Sequence, residues 1–210
     1  NFILSFVPEI KSPIFYKEFK EENRQLFDLI ELRDKVKSNK KILAIGEIGL
    51  DYYWDENPDR EVQKFVFREQ MRLAEELNLP VVIHDRDAHA DTLEIMKSFP
   101  NVKGVVHCFS GSVEFARECV KIGYYIGITG VVTFKNARKI CEVVEAIPLE
   151  RLLVETDCPY MAPTPYRGKR NKSDYIEHII EQISQIKGID PKEVNMAVNS
   201  NFSNLIRNTK

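Results

Sequence analysis

Four side chains stand out because each is a metal-binding or acid–base group set behind a short apolar run. Glu47 follows Ile42-Leu43-Ala44-Ile45-Gly46, and His84 follows Pro80-Val81-Val82-Ile83. His107 follows Gly104-Val105-Val106, and Asp157 lies just behind Leu152-Leu153-Val154. Apolar runs this short suit strands covered on both faces, as in a parallel sheet. Period-2 alternation puts Glu47, His84 and His107 two residues beyond Ile45, Val82 and Val105, on the face of a core aliphatic. Asp157 shares its face with Glu155. Two imidazoles and two carboxylates make a donor set for a hard-to-borderline divalent cation. Singly, each has an ordinary explanation: a hydrogen-bonded core histidine, a Glu47–Arg86 pair, a strand-end acid bonded to loop amides. Four of them at the same level of separate strands favour a metal site.

Other groups take their meaning from these four. Two carboxylates on one face of a core strand are costly without a cationic or N–H partner, so Glu155 is expected either to orient a ligand imidazole or to sit in a buried salt bridge. Arg86 carries a planar fork suited to a phosphate oxygen, or else pairs with Asp85 or Asp87. The stretch from Pro165 to Lys172 holds Arg167, Lys169, Arg170 and Lys172. It reads as an anion-binding loop, with a solvated charged loop as the alternative. Tyr52, Tyr53 and Trp54 are candidates for stacking an unpaired base. His89 and His178 have charged neighbours and are expected in solvent.

Strand and helix signals alternate along the chain. Strands are expected near residues 3, 43, 82, 105, 126 and 153. Helices are expected over 14–37, 58–77, 90–98, 113–122, 137–146, 174–187 and 191–206, the last opened by Asp190-Pro191 as cap and first turn. Gly49 and the aromatic trio are placed in the loop behind the second strand. This alternation implies parallel strands with right-handed crossovers. No G-x-G-x-x-G turn is present for an open nucleotide-binding sheet. A TIM (β/α)8 barrel fits better, and its active sites lie at the C-terminal rim of the strands. Six strands leave such a ring two short, so the first two strands are expected to be missing from the chain.

At 210 residues one domain spanning 1–210 is expected. Hydrophobic residues at 43% and charged residues at 30% describe an ordinary globular composition. With a net charge of −2, no global basic field points to nucleic acid, so polyanion binding would need a local cluster. The four cysteines are widely spaced, which argues against a disulfide framework and a thiolate zinc site and suits a reducing compartment. No apolar run approaches the roughly 20 residues of a membrane span, so membrane attachment is not expected. The chain opens at Asn1 rather than Met, which leaves its true start open.

Five motifs together resemble one family. They are Gly46-Glu47-Ile48-Gly49-Leu50-Asp51-Tyr52, then Pro80-Val81-Val82-Ile83-His84 with Arg86, and His107-Cys108-Phe109-Ser110-Gly111. Glu155-Thr156-Asp157-Cys158-Pro159 and Pro165-Tyr166-Arg167-Gly168-Lys169-Arg170-Asn171 complete the set. In order and spacing they are similar to the TatD-like metal-dependent deoxyribonucleases. That resemblance implies an amidohydrolase-like TIM barrel, one or two divalent ions (Mg, Mn or Zn) and hydrolysis of phosphodiester bonds in DNA. It implies Glu47, His84, His107 and Asp157 as metal ligands, with Asp157 also the general base toward a metal-activated water. Arg86, Arg167, Lys169 and Arg170 are the substrate-phosphate candidates. DNA is the expected substrate, on single strands or 3′ ends, with RNA or tRNA further nucleic-acid candidates. The expected location is cytoplasmic, or nuclear in a eukaryote. The family's opening H-x-H and G-x-H-P motifs are absent from this chain. Two alternatives stay open: the same chemistry on an ester or amide, such as D-aminoacyl-tRNA deacylation, or a non-catalytic barrel that binds nucleic acid or a partner.

Overall fold

The computed structural model describes residues 32–207. The strand expected near residue 3 and most of the helix expected over 14–37 lie outside them; residues 32–38 are helical. The chain divides into two compact units, with the boundary between Lys103 and Gly104.

The first unit contains β1 (Ile45–Asp51), α1 (Arg60–Leu77), β2 (Val81–Arg86) and α2 (His89–Lys97). The two strands pair in parallel, Ile45 with Val81, Gly46 with Val82 and Gly49 with His84. The register shifts between Gly46 and Ile48. Glu47 is therefore the extra residue of a bulge, a device that re-aims a side chain and breaks strict alternation. β1 runs on where a loop was expected, because Ile48 and Leu50 continue its buried face past the shift. Glycine is required on both sides of the bulge. A Cβ on Gly46 would stand 2.5 Å from the Val82 Cβ, and one on Gly49, whose φ is +139°, would collide with the His84 carbonyl oxygen.

The side chain of Asp59 accepts from the Glu61 N–H at 2.8 Å and starts α1. The helix ends at Asn78 in the left-handed conformation, its N–H returning to the Ala74 and Glu75 carbonyls. Phe67, Met71, Leu73 and Ala74 form its buried face. Phe65 is exposed. Two residues apart on a helix means roughly 200° of rotation, so Phe65 and Phe67 cannot share a face.

The second unit contains β3 (Gly104–Val106), α3 (Val113–Lys121), β4 (Tyr125–Ile128), α4 (Arg138–Ala146), β5 (Leu152–Val154), α5 (Ile176–Lys187) and α6 (Pro191–Arg207). β4 is parallel to both its neighbours, with Val106 opposite Ile126 and Ile128 opposite Val154. Every residue of β3 and β4 is buried, as strands covered on both faces should be. A 3-10 turn at Gly130–Thr133 was not foreseen. Asp190 caps α6 as its sequence implied, its carboxylate accepting from the Lys192 N–H at 2.7 Å. Asn201 ties α6 down by donating to the Leu149 and Leu152 carbonyls, both at 2.8 Å. Fully enclosed side chains such as Ile126, Leu152 and Ile179 contribute about 1.5–3 kcal/mol each. Among the described residues no helix is long and apolar enough to cross a membrane.

Candidate metal centre

In the first unit, β1 and β2 place His84 between two carboxylates. Its Nε2 lies 3.2 Å from an Asp51 carboxylate oxygen, and its Nδ1 lies 3.9 Å from Glu47. Asp51 was not singled out from the sequence. Counted from Ile45 it belongs with Glu47 and Gly49, in what was read as loop, and only the register shift shows that β1 continues to it. The other Asp51 oxygen accepts from the Tyr53 N–H at 3.0 Å, so one carboxylate fixes both an imidazole and the turn after β1.

In the second unit, His107 follows β3 and Asp157 follows β5. The Nδ1 of His107 donates to Glu155 at 2.9 Å, and its Nε2 lies 3.9 Å from Asp157. Glu155 is buried, its own N–H donating to the Ile128 carbonyl at 3.0 Å and extending the β4–β5 ladder by one residue. Its second oxygen accepts the Cys108 N–H at 2.6 Å, an arrangement in which Cys108 adopts φ +44°. Gly127 makes room: a Cβ there would overlap this same oxygen. Of the two roles expected for Glu155, the structure shows the imidazole partner rather than the salt bridge.

The two arrangements share a pattern. Each imidazole has a near carboxylate, Asp51 or Glu155, and a farther one on its other nitrogen, Glu47 or Asp157. A ligating histidine is commonly held this way, one nitrogen bonded to a carboxylate and the other turned to the ion. By that logic Nδ1 of His84 and Nε2 of His107 would be the nitrogens open to an ion. Donors each about 2.1 Å from one ion stand roughly 3–4 Å apart, and both 3.9 Å separations fall within that range. The donor types therefore fit a divalent ion. Among the described residues no three or more His, Cys, Asp or Glu side chains are grouped closely enough to hold a metal ion.

Other expected residues resolve differently. Arg86 pairs with neither Asp85 nor Asp87; its guanidinium stacks 3.7 Å above the Tyr53 ring and 5.4 Å from that of Trp54. Asp85 is buried and bonds His89 and the Thr92 hydroxyl instead, the latter at 3.0 Å. His89 is thus tied to a buried acid rather than left in solvent. His178 is likewise half-buried, tilted against the Tyr166 ring at 5.4 Å and near Glu181 at 3.5 Å. His89 was read as solvated because its charged neighbours gave no sign that Asp85, four residues back, is buried.

Tyr52 is not an open ring. Its hydroxyl donates to Asp91 at 2.7 Å and Arg60 covers its face at 4.3 Å. Burial, with the Asp91 contact, holds the phenol well above its usual range. In the basic loop Arg167, Lys169 and Arg170 are exposed, with Arg167 stacked 3.6 Å over Phe134. Lys172 is engaged by Asp174 at 3.1 Å. The loop is pinned by Asn171, whose N–H donates to the Pro159 carbonyl and whose amide donates to that of Tyr160.

Residues 12–207 match the family described as TatD related DNase. The chain is 47% identical over 175 residues to the uncharacterized metal-dependent hydrolase YabD of Bacillus subtilis, covering 82% of this chain and 68% of that protein. It is 39% identical over 173 residues to the 3′-5′ ssDNA/RNA exonuclease TatD of Cronobacter sakazakii, covering 79% and 65%. The crystal structure of YJJV, a TatD homolog of Escherichia coli, matches with a TM-score of 0.80 at 32% identity, over 85% of this chain and 70% of that one. The chain thus spans about two thirds of the length of these relatives, with a parallel α/β architecture of the TIM-barrel-like kind. A match this long in sequence and in structure places the chain in the TatD-related family of metal-dependent hydrolases.

Proposed function

We propose that this hydrolase cleaves phosphodiester bonds of single-stranded DNA, with Glu47, His84, His107 and Asp157 as its metal ligands. The observation that carries the reading is the Glu155–His107–Asp157 series, in which a buried carboxylate fixes the tautomer of an imidazole that faces a second, partly exposed carboxylate. A relative named as a single-strand exonuclease supports the choice of bond. A divalent ion held by these ligands would supply a lowered water pKa and neutralise charge on the phosphoryl oxygens.

The chain's own residues do the rest. Asp157 accepts the proton of the attacking water as oxygen adds to phosphorus and the bond to the leaving nucleoside oxygen breaks. Glu155 keeps the His107 proton on Nδ1, so Nε2 remains a donor of electrons. Arg86, Arg167, Lys169 and Arg170 contact backbone phosphates, which carry no sequence information, so cleavage is largely sequence-independent.

The test is hydrolysis of an end-labelled single strand by the full chain with Mg²⁺ or Mn²⁺, against chelator. Asp157→Asn is expected to keep the fold and lose roughly 10²–10⁴-fold in rate. Undiminished turnover by that variant removes the role of Asp157, and metal-loaded protein inert toward any phosphodiester removes the nuclease reading.

A further inference from the structure

Two adjacent aromatic rings stand open to solvent just beyond β1. Tyr53 is 51% exposed and Trp54 48%, and their rings meet edge to face with centroids 4.7 Å apart. The hydrophobic effect gives no reason to leave two such rings outside, and neither fills a core. Nor are they on a loose tip. The Tyr53 N–H donates to Asp51, the Tyr52 N–H to the Arg86 carbonyl at 2.9 Å, and the Asn57 N–H to the Trp54 carbonyl at 3.1 Å. The Asn57 amide adds a bond to the Asp51 carbonyl at 3.0 Å. The turn is closed before any ligand arrives, so little ordering entropy is lost on binding.

Arg86 gives the corner its chemistry. Its guanidinium carbon lies 3.7 Å from the Tyr53 ring centroid, and among the described residues no carboxylate pairs with it. A stacked guanidinium keeps its N–H edges in plane and directed outward, which suits a phosphate oxygen. Asp51 links this corner to the candidate centre, since one of its oxygens holds Tyr53 and the other holds His84.

Resting on the nuclease reading above, we infer that Tyr53 and Trp54 form a stacking platform for one unpaired nucleobase, with Arg86 taking the phosphate beside it. A flat π-face next to an unneutralised cation is the complement of a base joined to its phosphate. A paired base inside a duplex hides its faces, so the platform selects single strands. Tyr52, less exposed and held through its hydroxyl by Asp91, takes no part.

Trp54 is the chain's one tryptophan, so its emission reports on this corner alone. The full chain in chelator, where no turnover occurs, is titrated with a thymidine oligonucleotide and with an abasic strand of equal length and charge. The expected result is saturable quenching by the first and much weaker quenching by the second. Tyr53→Ala should weaken thymidine-strand binding roughly tenfold and leave abasic-strand binding, read by fluorescence anisotropy of a labelled strand, where it was. Tyr53→Phe should restore affinity. Emission indifferent to bases, or equal loss for both strands in Tyr53→Ala, overturns the platform. Base-dependent quenching without hydrolysis on adding metal keeps the platform and discards the nuclease reading; hydrolysis without base-dependent quenching does the reverse.

Discussion

Replacing Glu155 by Gln exchanges one oxygen for an NH₂ group and leaves the volume unchanged. The wild-type carboxylate accepts two donors, His107 Nδ1–H at 2.9 Å and the Cys108 N–H at 2.6 Å. Glutamine has one acceptor oxygen to offer them. If that oxygen keeps Cys108, the NH₂ faces His107 Nδ1, which must then accept, and the proton moves to Nε2. If it keeps His107, the NH₂ opposes the Cys108 N–H in a buried site. Losing a charge-assisted bond costs about 1.5–3 kcal/mol and an opposed buried donor about 1–3 kcal/mol. Either route therefore destabilises by roughly 1–3 kcal/mol, which lowers the midpoint by about 2–4 °C per kcal/mol at this chain length. The first route also removes the nitrogen assigned to the ion, so metal affinity should fall about 10–100-fold. Thermal unfolding in chelator reads the first quantity, and calorimetric titration with Mn²⁺ or Zn²⁺ reads the second. Reduced stability with unchanged metal affinity would refute the tautomer argument and leave Glu155 a structural acceptor only.

Three further outcomes follow from the packing. Gly49→Ala forces a Cβ onto the His84 carbonyl at φ +139°, a clash with backbone that cannot rotate away; denaturant unfolding should show a loss above about 4 kcal/mol or no folded protein. Tyr52→Phe removes the hydroxyl bond to Asp91 and should cost about 1 kcal/mol at neutral pH. Because the fold raises that phenol's pKa above 10.0, its contribution is complete below pH 10 and declines as pH rises toward the folded value. The gap between Tyr52→Phe and wild type should accordingly narrow in unfolding curves taken above pH 10. Asn201→Ala leaves the Leu149 and Leu152 carbonyls without their donor, and a stability loss of about 1–3 kcal/mol is expected from chemical denaturation.

How much of this was readable beforehand depended on how regular each strand is. Around β3 and β5 the backbone keeps its alternation, so a period-2 count put Glu155 on the face of Asp157 and left it either an imidazole partner or half of a salt bridge; only the structure shows that its partner is His107. Around β1 the same count failed, because the extra residue at Glu47 shifts the register between Gly46 and Ile48. Asp51 was then read as loop, although it is the nearer partner of His84. The two glycines flanking the bulge were the visible signal: neither position tolerates a Cβ beside β2, and glycine within a strand pattern is where a bulge should be suspected. Charge partners were harder still. Asp85, Arg86 and Asp87 are consecutive, and composition alone cannot say that the first turns inward to His89 and Thr92 while Arg86 lies on an aromatic ring. Residue type singled out Glu47, His84, His107 and Asp157 beforehand, whereas which carboxylate stands nearer each imidazole followed from register. The pairing of one near and one farther carboxylate on each histidine is a property of strand geometry, and it is there that a variant disturbing the bulge should disturb His84 while leaving His107 intact.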